Sequence, residues 1–180
     1  MQIISDSDLL EFEADQESQY IVKPSDLIDK VKSRLSSDGS IKGDLLPLSK
    51  SHTVIGLRQG EVSLWAVVNG HGKSQMLGQV CAWGMGTKKW FIASMEMLPE
   101  ATMARMAQQA AGCSPSDEYI GKFLNWTDER LWIYDQTDSV KQDRILAIIH
   151  YAAKKLGVDH IVIDSLIKCG INRDSYDKQA

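Results

Sequence analysis

Cysteine is scarce in this sequence and poorly placed for chemistry. Cys81, Cys113 and Cys169 are the three present, and no two form a C-x-x-C pair, so neither a disulfide framework nor a thiolate zinc site has support. The four histidines, His52, His71, His150 and His160, are scattered without ligand spacing. No apolar run approaches the ~18–20 residues of a membrane span. The opening MQIISDSDLLEFEADQ is acidic, whereas a secretion signal starts basic and then turns apolar. A cytoplasmic protein with no membrane partner is the expectation. Positive charge is not in excess either: the net charge is −4, which excludes coating of nucleic acid by bulk charge. Any contact with DNA has to come from a local basic surface or from loops. Internal repeats and low-complexity tracts are also missing.

What is present fits a globular protein. At 180 residues, 43% of them hydrophobic, the chain can bury a real core. Residues 1–23 are polar and acidic. Pro24-Ser25-Asp26 then opens a helical pattern, with Leu27, Val31 and Leu35 on one face, and the turn residues Ser36–Ser40 close it. Residues 1–45 read as an arm, and 46–180 as the main domain. Val62–Val68 reads as a near-continuous apolar strand, as in a sheet covered on both faces. A glycine-containing turn, 69–72, leads into a helix from Lys73 to about Trp83. A second strand, Trp90–Ser94, precedes Pro99, placed for the first turn of a helix carrying Met103, Met106 and Ala110. After Ser114-Pro115-Ser116 a short helix over 117–124 is expected, then a strand at Leu131–Tyr134. Ile145, Leu146, Ile148, Ile149, Ala152, Ala153 and Leu156 form the stripe of a helix over about 139–156, capped by Gly157. His160–Asp164 is the fourth strand. Alternating strands and helices predict an α/β fold with a mostly parallel sheet and crossover helices. Lys88 and Lys89 read as a solvated turn and Trp90 and Phe91 as core, in preference to a stacking platform for single strands. Met95, Met97, Met103 and Met106 read as core packing.

Three places carry chemistry. Asn69-Gly70-His71-Gly72-Lys73-Ser74-Gln75 lies between a predicted strand and a helix. Phosphate binding needs backbone N–H groups turned inward, glycines that let the chain curl, and a helix N-terminus below. A lysine at position 73 then reaches outer phosphates, and the Ser74 hydroxyl serves a magnesium ion. The bland alternative is a glycine turn with a solvent lysine. The full pattern is G-x-x-x-x-G-K-[ST], and Val67 stands where its first glycine belongs. A β-branched residue takes positive φ only at a cost, so either the strand runs one residue longer or the loop is distorted. Ile161-Val162-Ile163-Asp164 is an apolar strand ending in an acid, suited to holding the same Mg2+; the alternative is an Asp that caps a turn. Glu96 follows the strand at 90–94 and could polarise an attacking water, or could be an exposed acid favouring the next helix dipole.

Taken together, these segments resemble phage and mitochondrial-type replicative helicases, relatives of DnaB within the RecA-like class. The runs that carry the likeness are GEVSLWAVVNGHGKSQMLGQV for the phosphate loop, ASMEMLPEATMARM for the segment with the family's catalytic glutamate, and IVIDSLIKCG for the Walker B segment. DLLPLSKSHTVIGLRQGE resembles the approach to the first strand. The resemblance covers roughly 44–170 and implies a three-layer RecA-like P-loop fold. It also implies Lys73 and Glu96 as catalytic residues, and Asn69, Gly70, His71, Gly72, Lys73, Ser74 and Gln75 as nucleotide-binding residues. Ser74 and Asp164 would hold Mg2+, and ATP would be the substrate. The implied activity is ATP-driven unwinding of duplex DNA, by a homo-oligomer that is a ring hexamer when intact. Single-stranded DNA would be a partner, with primase or other replisome proteins, in the host cytoplasm if the chain is phage-encoded. The arm would be a linker whose helix (25–35) docks on a neighbouring subunit. Such proteins continue past Walker B with further strands, a sensor, DNA-binding loops and an arginine finger. None of these fits in SLIKCGINRDSYDKQA, and Arg173 is a poor finger, so a truncated domain lacking its C-terminal strands is expected. A recombinase-like ATPase, or a nucleotide-binding assembly module without turnover, are the alternative readings.

Overall fold

The computed structural model describes residues 22–36, 43–68 and 70–169. Asn69, the acidic segment 1–21, most of the turn after the first helix, and Arg173 lie outside these. The chain divides into two compact units, Met1–Ser40 and Ile41–Ala180. In the first, Pro24 starts a 3-10 turn, Pro24–Leu27, that runs into helix α1, Ile28–Leu35. Proline suits a first helical turn because its missing N–H would have had no partner there. Ile28, Val31 and Leu35 are exposed.

The second unit holds α2 (Lys73–Gly84), β1 (Trp90–Ser94), α3 (Pro99–Ala111), α4 (Asp117–Thr127), β2 (Leu131–Ile133), α5 (Gln142–Tyr151) and β3 (His160–Asp164). Its three strands form one parallel sheet in the order β2-β1-β3. The register aligns Trp90 with Leu131 and with His160, and Ser94 with Asp164. Alternation along β1 sorts its side chains onto two faces. Trp90 and Ile92 pack with Val80, Cys81 and Met85, with Met106 and Ala107 of α3, and with Phe123 of α4. Phe91, Ala93 and the following Met95 pack with Val140, Ile145, Ala152 and Cys169. Helices thus cover both faces of the sheet, and all five residues of β1 are buried, as a central parallel strand requires.

Helix boundaries follow local chemistry. Pro99 opens α3, and Gly112, at φ 67°, closes it. Ser116 caps α4 by accepting from the Tyr119 N–H. The last turn after α5 widens to a π turn, Ala152–Leu156, ended by Gly157 at φ 64°. The predicted helices at 117–124 and 139–156 are thus longer and shorter respectively, and the strand at 131 is one residue shorter. Tyr134 nonetheless extends the ladder by donating its N–H to the Ile92 carbonyl at 2.8 Å.

One predicted element is corrected. Val62–Val68 is not a strand: residues 61–68 have no regular structure. Val62 is 98% exposed and Leu64 78% exposed, and Trp65 alone of this run packs against the core. Apolar composition favours a strand only when a neighbour supplies ladder hydrogen bonds and a packing face, and no strand among the described residues does so here. Among the described residues the sheet therefore has three strands where four were expected.

The N-terminal ends of the strands are tied down by a polar cluster. Asp44 pairs its backbone with Leu57 in an antiparallel bridge. Its carboxylate lies 2.8 Å from His160 Nε2 and 3.5 Å from Lys88 Nζ. The His160 ring stacks on Trp90 with centroids 4.3 Å apart. Gly84 lets α2 come close to that indole, since a Cβ there would lie 2.5 Å from Trp90 Cζ2. Trp90 and Phe91 are therefore core residues, and so are Met95 and Met106.

Candidate functional site

The site lies at the C-terminal end of the sheet. Gly70 and Gly72 adopt φ values of 79° and 83°, which glycine reaches without steric cost. The His71 N–H donates to the Val68 carbonyl at 3.2 Å, and the Met76 N–H donates to the Gly72 carbonyl at 2.8 Å. The chain therefore makes a tight turn and enters α2 at once. A Cβ at Gly70 would touch nothing within 4 Å, and one at Gly72 would meet only Gln75 Oε1, at 3.8 Å, so the surface above both glycines is open.

Lys73 and Ser74, the first two residues of α2, both reach the end of β3. Lys73 Nζ stands 2.6 Å from Asp164 Oδ1, and Ser74 Oγ donates to Asp164 Oδ2 at 2.5 Å. Asp164 is 4% exposed, so the lysine and the hydroxyl replace the water that a buried carboxylate would otherwise lose. The pattern of residues 72–74 and the acid ending HIVID, far apart in sequence, meet here. Asn69 falls outside the described residues. Gln75 contributes its backbone carbonyl, which accepts from Gln109 Nε2 at 2.7 Å.

Glu96 lies two residues beyond β1 and is exposed. The ladder between β1 and β3 is continued by Met95, which donates its N–H to the Asp164 carbonyl at 2.8 Å. Just past it, Ser165 Oγ donates to Glu96 Oε1 at 2.7 Å. Both strand-end acids are thus held by hydroxyls. Ser165 was not singled out from the sequence. Its only signal is that it follows Asp164, which matters once the register of β1 and β3 is known. Behind these groups lies a cavity of about 20 Å³, lined in part by Ser74, Gly78, Ser94, Thr102, Arg105 and Asp164, room for about one water.

Ser74 Oγ and the Asp164 carboxylate are hard oxygen donors side by side, the donor chemistry that suits Mg2+. No group of three or more His, Cys, Asp or Glu side chains able to hold a metal exists among the described residues. Cysteine takes no part in this chemistry. Burial pushes the Cys81 thiol well above its ordinary range, and it raises Cys169 too.

No protein-family model matches the chain. A comparison with curated proteins does find a relative. Over 164 residues the chain is 30% identical to the DNA helicase/primase of Enterobacteria phage T3, a match that covers 81% of this chain. That is a helicase-like relationship. The chain spans 29% of the T3 protein's length. At the level of architecture, an α/β unit with a three-stranded parallel sheet is compatible with a RecA-like fold. No helix among the described residues is long and apolar enough to cross a membrane.

Proposed function

We propose that this chain is the nucleotide-hydrolysing core of a DnaB-like replicative DNA helicase, with ATP as substrate. One observation carries the reading: Lys73 and Ser74, at the N-terminus of α2, converge on Asp164 at the end of the adjacent parallel strand, with Glu96 one strand away. A lysine and a hydroxyl at a helix N-terminus, behind two left-handed glycines, form an arrangement that receives phosphate. The relationship to a phage helicase/primase supports the reading independently.

In this reading the open turn 70–72 takes the phosphates on its backbone amides. Lys73 exchanges Asp164 for the outer phosphate oxygens, since its own side chain is only partly buried beside the open turn. Ser74 and Asp164 would hold Mg2+, which when bound neutralises charge on the phosphate chain. Glu96 orients and deprotonates the attacking water, a role that contributes ~10²–10⁴-fold where a base is well placed. Single-stranded DNA is the proposed partner, with assembly into a ring hexamer and contact with primase or other replisome proteins. The exposed Ile28, Val31 and Leu35 of α1 give the arm an apolar face suited to docking on a neighbouring subunit.

The test is ATP hydrolysis by the chain with and without single-stranded DNA, beside Lys73→Ala. Turnover that requires Lys73 and rises with DNA is the expected result. Nucleotide bound at wild-type affinity with hydrolysis at background would instead favour an assembly module without turnover. A Lys73-independent rate would remove the site from consideration.

A further inference from the structure

We infer that Ser165 is a positioning residue for Glu96. The inference rests on the reading of Glu96 as the group that handles the attacking water. Glu96 is exposed and lies beyond the end of β1, on a side chain with three freely turning torsions. Among the described residues, no hydrogen bond from its own segment to the carboxylate is seen. Ser165 supplies one. Its hydroxyl donates to Glu96 Oε1 at 2.7 Å, and the donor is itself firmly set. Ser165 is 7% exposed. Its carbonyl accepts from the Lys168 N–H at 3.1 Å and from Cys169 Sγ at 3.5 Å, both in the 3-10 turn Leu166–Cys169. That turn is anchored by the Val140 N–H, which donates to the Lys168 carbonyl at 2.8 Å.

Consecutive residues of one strand end therefore divide the work. Asp164 engages Lys73 and Ser74, while Ser165 engages Glu96. With Oε1 occupied by the serine, Oε2 is left as the oxygen that accepts a proton. The two sets of contacts are thus built on adjacent residues. A hydroxyl that acts only by aiming a base affects turnover and leaves ground-state binding unchanged.

The experiment compares Ser165→Ala, Ser165→Thr, Glu96→Gln and the double variant Ser165→Ala/Glu96→Gln in the full chain. Mg2+-dependent ATP hydrolysis is measured at steady state over a range of ATP concentrations, nucleotide affinity by fluorescent ATP titration, and folding by thermal melting. Ser165→Ala is expected to lower kcat about 10- to 100-fold, the scale of a misaimed group, with KM and affinity changed less than about twofold. Ser165→Thr keeps a hydroxyl and is expected to recover most of the rate. In the Glu96→Gln background Ser165→Ala is expected to add no further loss, since the two then act through one function. Full activity in Ser165→Ala, beside a strong loss in Glu96→Gln, would overturn the positioning role while leaving the site intact. The positioning role also falls if Ser165→Ala and Ser165→Thr lose activity equally, or lose it only in step with melting temperature. Hydrolysis that is absent, or indifferent to Glu96→Gln, would instead overturn the reading of the site on which this inference stands.

Discussion

Val67 is where the phosphate-loop pattern would place its first glycine, and the reason for that glycine is backbone conformation. Among the described residues the non-glycine with positive φ is Glu129, at 62°, so Val67 is not held in the left-handed region. Gly70 and Gly72 carry the positive φ values of the turn, and Val67 belongs to the irregular segment before it. Val67→Gly therefore has no native strain to relieve, and it adds freedom to the unfolded chain. Nucleotide affinity measured by titration is expected to stay within about twofold of wild type, or ~0.4 kcal/mol. A tightening of about tenfold or more, ~1.4 kcal/mol, would show strain that the backbone angles do not reveal.

The apolar run Val62–Val68 shows what composition can and cannot say about an element. The strands at Trp90–Ser94 and His160–Asp164 were legible because each is a short apolar run bounded by turn residues, and each has a ladder partner. The 62–68 run has the same composition and no partner among the described residues, so periodicity alone could not separate it from them. The helices at Lys73 and Pro99 were legible from their opening residues, a glycine turn and a proline. The meeting of Lys73, Ser74 and Asp164 was legible as a motif, because each residue type is demanded by phosphate and cation chemistry. The bond from Ser165 to Glu96 was not, since it depends on the β1–β3 register. An exposed apolar run, together with an outer edge of β3 that no described strand covers, invites association between copies. Val62→Lys with Leu64→Lys is expected to leave the unfolding midpoint nearly unchanged, within about 0.5 kcal/mol per site, and to lower self-association in sedimentation velocity. A loss of several kcal/mol would mean that the run packs as a strand in solution.

At the scale of the whole molecule, the burial of two thiols is expected to make stability depend on pH. Burial raises Cys81 strongly and Cys169 as well. Below the ordinary thiol value of ~8.5 both the folded and unfolded chains keep these protons, so neither state is favoured. Above it the unfolded chain loses them first, and folding stability is expected to fall as pH rises through about 8.5 to 10. Denaturant midpoints at pH 7, 9 and 10 measure the slope, and Cys81→Ala is expected to flatten it; an equal slope in that variant would assign the loss to other groups. The order of the strands has a consequence for how the protein is made. β1 lies at the centre of the sheet, yet β3, which covers one of its edges, is the last of the three to be synthesised. Ser74 and Asp164 are 90 residues apart, which at ~5–20 residues per second separates their emergence from the ribosome by roughly 5–20 s. Through that interval the residues that open α2 have no acid to meet, and from the arrival of β2 until that of β3 the WFIAS strand keeps one bare edge. Anything held between Ser74 and Asp164 on the nascent chain is therefore a timestamp: it marks the moment the third strand has docked.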